Sequence, residues 1–104
     1  MKVLLLGAYA PHALKGLIAG SDREAAVKAL MTAVGGTVES IKFTRGKYDV
    51  VLEVSVPSHD ALIGLVMALK ASAAFELADY LEIVDMAPIL EEAKKVVKVY
   101  TPAG

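Results

Sequence analysis

Hydrophobic and polar positions switch between two periods along this chain, and the switches mark its elements. Lys2–Tyr9 is apolar on both faces, as expected of a central strand, and Pro11 ends it. Ala10–Gly20 carries Pro11, Gly16 and Gly20 around one apolar cluster of Leu14, Leu17 and Ile18, and reads as a loop or a single helical turn. Ser21-Asp22-Arg23-Glu24 then matches a capping box, with Ser21 accepting from the Glu24 N–H. Behind it Ala26, Ala29, Leu30, Ala33 and Val34 recur at helical spacing, and Gly35-Gly36 closes the helix.

Period-two patterning follows. Thr37–Thr44 is β-branched and aromatic, Arg45-Gly46-Lys47 has hairpin length, and Tyr48–Val56 is a second strand of the pair. In it Tyr48, Val50, Leu52, Val54 and Val56 share one face. Pro57 stops the strand and Ser58 caps a helix starting near His59. Ala61–Leu69 contains no charge, so this helix is expected to be buried on more than one side. Leu62, Leu65, Val66 and Leu69 would form its core stripe, with Ile63 and Met67 off it. Ala78–Ala87 is the last strand. After Pro88 a final helix carries an apolar stripe of Ile89, Leu90, Ala93, Val96, Val97 and Tyr100, with Glu91 and Glu92 ahead of Lys94, Lys95 and Lys98 in the order the helix dipole favours. Thr101–Gly104 is a tail.

The element order predicts an α+β, ferredoxin-like βαββαβ fold with a four-stranded antiparallel sheet and an extra C-terminal helix, in one domain spanning residues 1–104. Both crossover helices would cover one face of the sheet. The bare face is expected to hold Val51, Val84, Ile41 and Phe43, too apolar for a monomer, so a homo-oligomer through the sheet face is predicted.

Composition narrows the possibilities. In 104 residues, 56% are hydrophobic, the net charge is −1 and there is no Cys, so disulfides, thiolate metal sites and Cys nucleophiles are all absent. Near-neutral charge argues against nucleic acid as a partner. Mean hydropathy is +0.54, yet no apolar run reaches the roughly 18 residues of a membrane helix. Met1-Lys2-Val3-Leu4 lacks a signal peptide's basic region, so no membrane partner and a cytoplasmic setting are expected.

Gly46-Lys47-Tyr48-Asp49, running into Val50-Val51-Leu52 and closed by Val56-Pro57, resembles the signature of the GYD-domain family. Further along, Tyr9-Ala10-Pro11, Arg23-Glu24-Ala25-Ala26-Val27, Val34-Gly35-Gly36, Ala87-Pro88-Ile89-Leu90-Glu91-Glu92 and Tyr100-Thr101-Pro102 are similar to that family's motifs in the same order, so the resemblance spans nearly the whole chain. Two departures are Ala10, where the family has Thr, and Ser58-His59-Asp60 before the second helix. The resemblance implies a dimeric α/β barrel and self-association, with no reaction or catalytic residue to transfer. A second likeness is to the ligand-sensing domain of Lrp/AsnC-type regulators, which also opens a strand with G-x-Y-D.

Candidate chemistry is sparse. Gly46, Tyr48 and Asp49 either hold a turn or rim a pocket at the hairpin end. His12 and His59 sit on separate elements without metal-ligand spacing, so neither a metal nor a cofactor is expected. Glu53 and Glu82, with Glu39, are expected on the bare face as interface ion pairs or a polar pocket. A ligand site, if formed, is expected from Tyr9, His12, Arg45, Tyr48 and Asp49. The end of the first strand and the start of the third need not share a sheet end in one subunit, which makes that site conditional on the dimer. Three functions follow: a small oligomeric module binding a small molecule or protein at the inter-subunit barrel, a cofactor-independent monooxygenase or isomerase, or a purely structural oligomer.

Overall fold

A computed structural model describes residues 1–102; Ala103 and Gly104 of the predicted tail lie outside the described residues. The chain folds as β1 (Lys2–Tyr9), α1 (Pro11–Ile18), α2 (Arg23–Ala33), β2 (Thr37–Phe43), β3 (Val50–Ser55), α3 (His59–Ala71), β4 (Phe75–Ile83) and α4 (Met86–Val99). The sheet order is β2-β3-β1-β4 with every neighbouring pair antiparallel, which is the ferredoxin-like arrangement.

Local chemistry explains most boundaries. With Pro11 at its first turn, α1 (Pro11–Ile18) is a true α-helix within the Ala10–Gly20 segment, where a loop or a single turn was the expectation. Helix α2 is capped by Asp22, whose carboxylate accepts from the Ala25 N–H at 3.0 Å; the predicted cap, Ser21, lies one residue too early. Ser58 caps α3 as expected, accepting from the Ala61 N–H at 3.1 Å. Helix α4 starts at Met86 under an Asp85 cap, with Pro88 inside the first turn, where its missing N–H is harmless. That earlier start moves Glu91 and Glu92 out of the first turn and pairs them with Lys94 and Lys95 at 3.2 and 3.1 Å.

The core lies between the sheet and α1, α2 and α3. Val3 and Leu5 of β1, Val50, Leu52 and Val54 of β3, Met31 of α2 and Leu62, Leu65 and Val66 of α3 are buried together. Leu69 packs at its margin, which completes the predicted α3 stripe, while Met67 is 66% exposed and has no cover within the chain.

Four residues assigned to the bare face are corrected. Register pairs Ile41 with Leu52 and Phe43 with Val50, so Ile41 and Phe43 face the helices. The cause is a bulge between Val38 and Ser40, which inverts the alternation from that point on. Glu82 pairs with Val3 and also lies on the helix side, apart from Glu53. Val84 lies beyond β4, which runs Phe75–Ile83 rather than Ala78–Ala87. The bare face therefore carries Leu4, Leu6, Val51, Leu77, Leu81 and Ile83, with Glu53, Asp79 and Lys42 among them.

Helix α4 stands apart. None of its residues is buried, and the molecule measures 58 × 32 × 22 Å with a radius of gyration of 17.5 Å, against about 13 Å for a compact chain of this size.

Candidate functional site

The hairpin between β2 and β3 is closed from within. The Thr44 N–H donates to the Asp49 carbonyl at 2.8 Å and the Thr44 hydroxyl to the Tyr48 carbonyl at 2.6 Å. Gly46 takes φ +140°, which favours glycine. Asp49 then ties this loop to the end of β1. Its N–H donates to the Gly7 carbonyl, and its Oδ2 accepts from the Tyr9 N–H, both at 2.8 Å. The register of β1 against β4 shifts between Ala8 and Tyr9, and such a shift takes an N–H out of the ladder. The Asp49 carboxylate satisfies that donor. Because β1 and β3 are antiparallel, with Gly7 opposite Val50, the end of one strand and the start of the other share a sheet end in a single chain. The expectation that these strand ends need not share a sheet end within one subunit is corrected here.

Tyr9 and Tyr48 project to opposite sides of the sheet. The Tyr9 ring is buried on the helix side against Phe75, with centroids 5.1 Å apart. Tyr48 donates its hydroxyl at 2.7 Å to Asp79, which is paired with Leu6 on the bare face. That bond raises the Tyr48 pKa above its ordinary value, with partial desolvation and the Asp79 charge adding to the effect. The Lys47 ammonium lies 5.5 Å from the Tyr48 ring centroid. His12, in the first turn of α1, and Arg45, in the hairpin loop, are both exposed. The structure thus brings Tyr9 and Asp49 into contact through the backbone and places Tyr48 near them on the other face. It buries neither His12 nor Arg45 with them. Among the described residues, no three His, Asp or Glu side chains converge as a metal site would require.

On the helix side, Tyr9 lines an apolar cavity of about 60 Å³ between α2, α3 and the sheet. Its walls include Leu5, Val27, Leu30, Met31 and Phe75, and Arg23 stands at its edge. Burial pushes the Tyr9 hydroxyl pKa up; the Arg23 charge opposes this and the Asp49 charge adds to it. Arg23 was not singled out by sequence reasoning, which used it only as a helix-opening residue. A signal was present: three and four residues on stand Ala26 and Val27, so this cation lacks the acidic partner that Lys28 finds in Glu24 at 3.5 Å.

Comparison with known proteins fits this architecture. No curated protein matches the chain. The crystal structure of FFRP-DM1 superposes with a TM-score of 0.54 at 15% identity, covering 80% of this chain and 97% of that one. The 5-chloro-2-hydroxyhydroquinone dehydrochlorinase TftG from Burkholderia phenoliruptrix AC1100, solved with 2,5-dihydroxybenzoquinone, gives 0.47 at 17% identity, covering 81% and 94%. At such identities the likeness concerns the fold alone. Residues 4–93 match the GYD domain, and with Gly46, Tyr48 and Asp49 forming the hairpin just described, the chain belongs to the GYD-domain family.

Proposed function

We propose that this protein is a homo-oligomeric binding module, assembled at least as a dimer through the bare sheet face, with α4 of one protomer covering apolar surface of another. The observation that carries this reading is α4 itself. It has 14 residues and an apolar stripe, yet none is buried; Val97 is 76% and Val96 59% exposed. A helix of this length is marginal in water on its own, and tertiary packing normally supplies the difference. The bare sheet face supports the same conclusion, since Leu81 and Ile83 are exposed there beside Leu4, Leu6, Val51 and Leu77. Contiguous apolar surface of this kind marks an interaction site. Met67 on α3 offers a third apolar contact.

Sedimentation equilibrium at micromolar concentration tests the reading. A mass that is a multiple of 10.9 kDa is expected, and Val97→Glu or Leu81→Glu should shift it toward one protomer by placing an unpaired carboxylate in the interface. Met67→Glu should reduce the size of the oligomer or its solubility. A wild-type protein that sediments as a monomer overturns the proposal.

A further inference from the structure

The helix side of the sheet holds a hollow that the fold does not fill. About 60 Å³ stand open beneath α2, against Leu5 and Leu52 of the sheet and Leu65 of α3. A smaller hollow of about 30 Å³ shares Tyr9, Val27 and Phe75 with it, so the two adjoin. Nearly all of the surface facing the larger one is carbon. Arg23 stands only at its edge and turns its guanidinium toward α1, where a Cβ on Gly16 would stand 3.3 Å from Nη2. No charge enters the space.

The walls explain why the hollow stays open. The Phe75 ring packs on Tyr9 with centroids 5.1 Å apart and fills the room beside Gly7, where a Cβ would stand 2.8 Å from Phe75 Cε1. It cannot swing inward without giving up both contacts. The floor is formed by β1 and β3, which are paired with one another. The roof, α2, buries Met31 alone, so it is the wall free to adjust. Leu30 in that roof is 41% exposed, which gives the hollow a way to the surface. Water gains little by entering, since a buried water needs polar partners. Left empty, the space forfeits the dispersion contacts its walls could make.

We infer that this hollow binds a short neutral hydrocarbon of two or three carbon atoms, lodged between α2 and the sheet. Lining chemistry sets the class. A wall of Leu, Val, Met and Phe offers a carbonyl, hydroxyl or charged group nothing to replace its water, so polar molecules of the same size are disfavoured. Volume sets the size. At about 60 Å³ the space is less than half of the roughly 150 Å³ that takes benzene in an apolar cavity, so a ring or a longer chain does not fit. The loosely packed α2 is the element such a ligand would tighten. The inference rests on the binding half of the proposed function and gives it a place and a chemistry. It does not depend on assembly, because the hollow lies within one chain.

Titrating the methyl-labelled full-length protein with propyne, and with xenon under pressure as a probe of the space alone, tests this by NMR. The expected result is a saturable shift of the Leu5, Val27, Leu30 and Met31 methyls, with Leu81 and Ile83 of the bare sheet face unmoved. Acetonitrile keeps the shape of propyne but carries a polar nitrogen, and it should bind about ten-fold more weakly or worse. Val27→Phe should abolish binding, because Val27 borders both hollows. Should that variant fail to fold, Val27→Ile takes one methylene of the space and should weaken propyne by about four-fold. Three results overturn the inference: no saturable shift, acetonitrile binding as tightly as propyne, or shifts that fall on Leu81 and Ile83 instead of the methyls around the hollow. Sedimentation of the same samples reports assembly separately. A monomer that binds propyne refutes only the oligomer, and an oligomer that does not bind it refutes only the site.

Discussion

Helices α3 and α4 are nearly the same length, 13 and 14 residues, and each carries an apolar stripe, yet they are held in different ways. Leu62, Leu65 and Val66 of α3 are buried against the sheet, so its stability comes from burial. In α4 nothing is buried, and what sustains it locally is the Asp85 cap and the Glu91–Lys94 and Glu92–Lys95 pairs. Exposed pairs of that kind contribute only about 0.3–0.5 kcal/mol each. The contrast teaches that an apolar stripe at helical spacing predicts a contact without saying which chain supplies it.

Mutation can break or sharpen that contrast. Leu62→Ala should cost about 2–5 kcal/mol in urea denaturation, since Leu62 is fully buried. Val97→Ala in α4 should cost under about 0.5 kcal/mol in dilute protein, and a larger cost there would mean that α4 packs on its own chain. Between these extremes, Asp49→Ala strands the Tyr9 N–H and should destabilise by about 1–3 kcal/mol; Asp49→Asn, which keeps an acceptor oxygen, should recover part of that in the same assay. Asp22→Ala should cost about 1 kcal/mol through loss of the α2 cap.

The smallest effect concerns pH. The Tyr48 pKa is raised in the fold, so the unfolded chain releases this proton first. The bond to Asp79 therefore contributes fully below the ordinary tyrosine range near 10 and is lost as pH rises through the raised folded value. Wild-type stability should fall more steeply above that range than stability of Tyr48→Phe, followed by chemical denaturation at stepped alkaline pH. Parallel curves would remove Tyr48 from the account.

Much of the fold was legible because alternation and capping residues agree. The hairpin around Gly46, the α3 stripe and the Ser58 cap all follow from residue type and spacing. The faces of β2 were not legible, since one bulge beside Glu39 reverses every side chain after it, and nothing in Thr-Val-Glu-Ser-Ile-Lys-Phe announces an extra residue. Strand β4 failed for a different reason. Both of its faces mix apolar and charged residues, Leu77, Asp79, Leu81 and Ile83 against Ala78, Tyr80 and Glu82, so alternation does not choose between them. Around the candidate site, the roles of Gly46 and Asp49 in the turn were readable. The half-burial of Arg23 was not, because Arg23 meets α1 at Gly16, a contact between two helices that spacing within either one does not reveal.

The projecting helix also sets an order of events in time. Strand β1 pairs with β3 and β4, so the sheet closes once Ile83 is available, and α4 contributes no buried residue to that closure. During synthesis the core can be complete while α4 is still emerging. If α4 docks on another protomer as proposed, refolding should divide into a first-order phase that buries the core and a later phase that accelerates with protein concentration.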